Sequence, residues 1–159
     1  MSTGNSVHRY RTTCRWEGST AVGYEAYDRR HVVTAPPAET ELVLSSDPAF
    51  RGEPALVNPE QLVVAAASSC QLLSFLAVAA RARIDVVAYD DEADAVMPED
   101  DPPVRLTRIT LRPRITIRRR DGRPTEDRVR RLVAVAHREC FIANSLRTEV
   151  VVEPTVVFG

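Results

Sequence analysis

The sequence predicts an α+β fold, and three observations carry that reading. Period-two alternation near residues 10–16 and 109–117 signals strands. Between them, Leu62 to Ala80 carries no charge and is too long for a strand, so it reads as a helix packed on all sides. Beyond the second alternation, Val129, Leu132, Val133, Ala136 and Cys140 recur at the three-and-four spacing of one buried helical stripe. Strands, buried helix, hairpin, helix and strand in that order spell α+β.

The N-terminal strands are expected within residues 1–57. Tyr10, Thr12, Cys14 and Trp16 share one face of the first, which points Cys14 at a core. Further strands are expected at Val22–Tyr27 and Glu41–Ser45, separated by the turn-like TAPPAE segment. The helix, residues 58–83, opens on Asn58-Pro59-Glu60: asparagine caps, proline fills the first turn where its missing N–H costs nothing, and glutamate complements the dipole. A hairpin follows over 84–120, from Val86–Met97 and Val104–Arg118 around the PEDDPP turn, with Ile109, Leu111, Ile115 and Ile117 on one face. Pro113 interrupts that alternation, so a bulge or exposed edge is expected there. After the DGRPT turn, residues 124–159 supply the second helix with Cys140 and a final strand, Thr148–Phe158, broken near its middle by Pro154. No linker composition intervenes, and the 159 residues read as one domain.

Composition excludes several chemistries. All 21 basic residues are arginine, so no lysine Schiff base or P-loop lysine exists. The net charge of -1 offers no overall attraction to nucleic acid or an anionic membrane. No GxGxxG cradles a nucleotide and no GxSxG presents a nucleophilic serine. The serines, Cys70 and Gln71 within the apolar helix fit a protein interior better than lipid. The three cysteines, at 14, 70 and 140, form neither a disulfide framework nor a zinc ribbon. With no apolar leader in MSTGNSVHRYR, a reduced, cytoplasmic protein is expected.

Two helices of one small domain share a core, so Cys70 and Cys140 can meet there; equally, each can be a small packing hydrophobe. The surrounding segments, NPEQLVVAAASSCQLLSFLAVAA and AHRECFIANSLRTEVVVEP, resemble the OsmC/Ohr family of thiol-dependent peroxidases. The SSDPAFRGEP stretch resembles its OsmC-type subgroup, although Gln71 stands where many of that subgroup carry histidine. The resemblance implies an antiparallel sheet packed on two main helices, an intertwined homodimer and active sites at or near the subunit boundary. It implies Cys70 as peroxidatic cysteine and Cys140 as resolving cysteine. The substrate would be an organic hydroperoxide or hydrogen peroxide, and the reductant an external dithiol or thiol. No metal or nucleotide cofactor is implied.

That chemistry needs a thiolate, which burial opposes. Lowering a thiol pKa by about two requires about 2.7 kcal/mol, and a guanidinium about 4 Å away offers about 4 kcal/mol at an effective dielectric near 20. The resemblance implies two candidates, Arg29, in the subgroup's Tyr-x-Arg-x-His pattern and favoured narrowly, and Arg51, nine residues before Glu60 as in one branch, with Glu60 as the carboxylate partner the family motif implies. In a straight helix Glu60 and Cys70 lie about 15 Å apart along the axis. Either the helix breaks, or a long arginine bridges the gap, or a second subunit contributes.

His137 and Cys140 with Cys70 are too few to suggest zinc. Asp90, Asp91, Glu92 and Asp94, with Glu99–Asp101, read as solvated charge rather than a calcium loop. Arg118–Arg120 read as an exposed strand end. Two rival functions remain: a redox sensor, and a module that binds a small hydrophobic ligand on the same scaffold.

Overall fold

The structure is a computed structural model that describes residues 6–119 and 124–159. Arg120 and most of the DGRPT turn lie outside the described residues. The chain divides into two compact units, Met1–Gln61 and Leu62–Gly159.

In the first unit, β1 (Thr13–Arg15), β2 (His31–Thr34) and β3 (Leu42–Leu44) form an antiparallel sheet in that order. Only three residues of the expected first strand pair, and Cys14 is exposed rather than pointed at a core. The strand expected at Val22–Tyr27 is absent. Ser19 caps a short 3-10 turn at Thr20–Val22, and Gly23, at φ 89°, takes a backbone conformation that side chains disfavour. The pairing strand comes nine residues later, at His31. Farther on, Gly52 is obligatory, because a Cβ there would overlap the Ser46 carbonyl oxygen.

α1 (Pro59–Arg81) is one unbroken helix, opened as expected. The Asn58 side chain accepts from the Gln61 N–H at 2.8 Å, and the Gln61 side chain accepts from the Asn58 N–H at 3.0 Å, a reciprocal cap.

The second unit is built around a hairpin of β4 (Val86–Val96) and β5 (Arg108–Ile117). α2 (Glu126–Glu139) opens on a Thr125 cap, α3 (Phe141–Ser145) follows it, and β6 (Glu149–Val152) and β7 (Thr155–Phe158) close the chain. β6 and β7 both run parallel to β5, one after the other along its far edge. The expected final strand is therefore two strands, divided at Glu153-Pro154.

That division explains Pro113. The Leu111 carbonyl accepts from Glu153 N–H and the Ile117 carbonyl from Gly159 N–H, so odd residues of β5 direct their backbone polar groups toward β6 and β7. Pro113 falls opposite the interruption, where no N–H is needed, and it is buried in a central strand rather than bulged or on an edge. The bulge lies instead between Val86 and Ala88.

Ile109, Leu111, Ile115 and Ile117 are fully buried on one face of β5, as their spacing predicts. Phe75, Val78 and Ala79 of α1 and Val129, Val133 and Ala136 of α2 join Ile115 and Ile117 in one core. Ala67 packs with Ile109 and Leu111 in a second cluster. By length and composition α1 could cross a membrane, yet it supplies interior residues to both clusters. Its other face leaves Leu73 64% exposed.

Candidate active site

Cys70 lies on α1, partly accessible, five residues before Phe75 fixes the helix in the core. Cys140 is not inside the second helix, as its stripe suggests, but just past its end. There it terminates α2 and caps α3, with φ -72° and ψ 108° breaking the helical path. Its Sγ accepts from the Ala143 N–H at 3.5 Å, and the residue is 1% exposed. The break brings the N–H groups of Phe141 and Ile142, at the start of α3, to the Cys70 sulfur.

This arrangement sets the two thiols apart. Burial raises the Cys70 pKa, but the N–H groups of Ile142 and Phe141 and the hydroxyl and thiol of Ser74 and Cys140 donate to its sulfur, leaving it below an ordinary thiol. Burial pushes the Cys140 thiol up, and donation to an anionic Cys70 raises it further, against the opposing Ala143 N–H. Cys70 is therefore the sulfur that ionises first, while Cys140 keeps its proton in contact with it. The donors in the second unit are backbone amides and uncharged side chains; no arginine contributes to the lowering.

A cleft of about 610 Å³ opens beside Cys70. Leu73, Ala77 and Phe141 make it apolar, and Arg81, Arg138 and Glu139 rim its far end. Arg81 pairs with Glu139 at 3.0 Å.

The expected arginines belong to the first unit. Arg29 donates to the carbonyls of Tyr27 at 2.8 Å and Tyr24 at 2.7 Å, and its guanidinium lies 3.9 Å from the Tyr27 ring centroid. Arg51 pairs with Glu25 on the surface. Glu60 occupies the first turn of α1. Because α1 is unbroken, ten residues still set Glu60 about 15 Å along the axis from Cys70, which removes helix breakage from the ways the two could share a pocket.

Several residues beside the cysteines were not anticipated. Ser74 stands one turn beyond Cys70 on the same helix face, a spacing the sequence displays. Asp91, expected as solvated charge, accepts from the Ser68 hydroxyl and, at 2.7 Å, from the Arg112 N–H. Asp94 meets the expectation by pairing with Arg112 at the surface. Among the described residues, the Gln71 Oε1, the Tyr89 hydroxyl and the His137 Nδ1 are buried without a hydrogen-bond partner, and no group of three or more His, Cys, Asp or Glu could hold a metal.

Comparison with curated proteins finds no match. Among solved structures, an OsmC-like protein of Vibrio cholerae is 29% identical, with a TM-score of 0.85 over 94% of this chain and 100% of that one. An organic hydroperoxide resistance protein OsmC of Legionella pneumophila is 19% identical, with a TM-score of 0.67 over 96% and 99%. One from Elizabethkingia anophelis is 18% identical, with a TM-score of 0.68 over 98% and 99%. These last two establish likeness of fold. The family described as OsmC-like protein matches residues 52–155, a span that includes both Cys70 and Cys140, and the chain belongs to that family.

Proposed function

We propose that this chain is a thiol-dependent peroxidase that reduces organic hydroperoxides, and hydrogen peroxide, through Cys70 and Cys140. The observation that carries the reading is the division of labour between the sulfurs: an accessible Cys70 poised to ionise, and a buried Cys140 in contact with it that keeps its proton. The name borne by the Legionella and Elizabethkingia proteins points the same way.

The Cys70 thiolate attacks the terminal peroxide oxygen. The O–O bond breaks, the alkoxide leaves as alcohol after taking a proton, and Cys70 becomes a sulfenic acid. Cys140 then attacks the Cys70 sulfur, water departs with the thiol proton, and a disulfide forms. An external dithiol or thiol restores both cysteines by exchange. The apolar wall of Leu73, Ala77 and Phe141 suits the organic part of a hydroperoxide.

Arg29 is the proposed cation to supplement the amide donors, with Glu60 holding it. Its two carbonyl bonds and stacked rings fix its position, whereas Arg51 already pairs with Glu25. The working form is a homodimer, supported by the exposed apolar face of α1 and by the axial gap between Glu60 and Cys70, which a second subunit would close. A cytoplasmic setting is proposed with it, because three cysteines spaced at 14, 70 and 140 form no secreted disulfide framework.

The test is peroxide consumption with a dithiol reductant by wild type, Cys70→Ser and Cys140→Ser. Wild type should turn over, Cys70→Ser should be inactive, and Cys140→Ser should form a sulfenic acid prone to overoxidation. Turnover that survives Cys70→Ser would sink the proposal.

A further inference from the structure

We propose that Arg138 makes the cleft beside Cys70 selective for hydroperoxides whose alkyl chain ends in a carboxylate, with the peroxide at Cys70 and the carboxylate on the Arg138 guanidinium. This rests on the peroxidase reading and names the substrate class of the same cleft.

The cleft is a trough with unlike ends. One wall is a stripe of α1, in which Ser74, Ala77 and Arg81 follow Cys70 at four, seven and eleven residues and so share a helix face. Eleven residues set Arg81 about 16 Å along the axis from Cys70. Arg138 and Glu139 of α2 with Phe141 and Asn144 of α3 form the other wall, and the pair of Arg81 with Glu139 ties the two walls together at 3.0 Å. Between the ends, Leu73, Ala77 and Phe141 offer hydrocarbon. Phe141 is 79% exposed, so an alkyl chain laid against it removes apolar surface from water.

Charge decides which chain fits. Arg81 and Glu139 cancel each other, and among the described residues the Arg138 guanidinium has neither an ion-pair nor a hydrogen-bond partner. A last-turn arginine complements the dipole of α2 wherever its side chain points; this one also lines the cleft. The Asn144 side chain donates to the Arg138 carbonyl at 3.0 Å and holds the backbone from which the arginine projects. The far end therefore carries one uncancelled positive charge, and the near end a negative one once Cys70 ionises. An anionic group is repelled from the sulfur and drawn to Arg138, whose planar fork can engage both carboxylate oxygens. A chain bound that way presents its peroxide to Cys70. The thiolate bonds to the terminal oxygen, the O–O bond breaks, and the departing alkoxide takes a proton from water; Cys70 is oxidised to the sulfenic acid and the hydroperoxide reduced to a hydroxy acid.

The test compares the terminal hydroperoxide of dodecanoic acid with its methyl ester, which keeps the chain and loses the charge, in single-turnover oxidation of Cys70. Wild type should prefer the acid about fivefold, the size of one exposed ion pair, and the preference should shrink as salt is added. Arg138→Gln should erase that preference, Arg138→Lys should restore most of it, and Arg138→Glu should invert it. Equal rates for acid and ester in wild type, or a preference that survives Arg138→Gln, overturns the proposal. The terminal hydroperoxide of butanoic acid is too short to span the cleft and should show no preference over its ester; a preference as large as that for the long acid would place the cation beside Cys70 and overturn the proposal as well. If neither long hydroperoxide oxidises Cys70 in wild type, the peroxidase reading fails. Submicellar dodecanoate, which carries no peroxide, then judges the site by itself: it should slow iodoacetamide labelling of Cys70 in wild type and not in Arg138→Gln, and equal protection of both, or of neither, overturns the assignment.

Discussion

The Cys140 thiol donates to the sulfur of Cys70, and each residue shifts the other's proton affinity in opposite directions. Cys70 is lowered against its burial first by the Ile142 N–H and then by Cys140; Cys140 is raised first by burial and then by Cys70. Removing the donor should therefore return Cys70 toward an ordinary thiol. With a lowered pKa, Cys70 is already largely ionised at a pH where an ordinary thiol is not, so its alkylation rate should rise and level off earlier along the pH axis. In Cys140→Ala the whole profile should move to higher pH, measured by iodoacetamide labelling of Cys70. An unmoved profile would show that Cys140 takes no part in the activation.

Ser74→Ala removes a second donor from the same sulfur. A hydrogen bond of this kind is worth roughly 1 kcal/mol at a partly accessible site, or about a fivefold effect. Peroxide reactivity of Cys70 near neutral pH should fall by about that factor in stopped-flow oxidation. The loss should vanish at a pH high enough to ionise the thiol in both proteins.

Gln71 is fully buried, its Nε2 reaches the Val133 carbonyl only at 3.4 Å, and its Oε1 has no partner. Gln71→Leu should stabilise the fold by about 1 kcal/mol in urea unfolding, because the unpaired oxygen costs more than the long bond returns. Phe75→Ala provides the contrast. This fully buried ring joins α1 to α2 and β5, and its loss should destabilise the protein by about 3–5 kcal/mol.

Leu73 presents a large apolar side chain at the centre of the exposed face of α1. If that face joins two subunits, Leu73→Glu should convert a dimer to a monomer in light scattering at micromolar concentration. A wild-type monomer at that concentration would remove the dimer and, with it, the cross-subunit route for Glu60.

The long elements were largely legible in the sequence because their local signals are strong. The NPEQ helix opening, the alternation of Ile109 to Ile117 and the stripe from Val129 to Ala136 each demand one local structure and bury the residues they mark. The first unit was less legible. Its strands are three or four residues long, too short for alternation to select them, and Ser19 with Gly23 turned the apparent strand at Val22 into a 3-10 turn. Pro113 misled because its acceptability depends on a strand break 40 residues later, which no local pattern reveals. At the site, both cysteines were identifiable. The amide donors of Phe141 and Ile142 were not, since they exist only because the helix breaks at Cys140, and the stripe gives no sign of that break.

The most direct measurement is the mass of the linked peptides after wild-type protein receives one equivalent of an organic hydroperoxide and is digested without reductant. A peptide pair joined through Cys70 and Cys140, lighter by two hydrogens than its separate parts, with Cys14 still free, is the expected product. Cys70 recovered unmodified while the hydroperoxide persists, or Cys70 joined to Cys14 instead, would contradict peroxide chemistry at this pair of sulfurs.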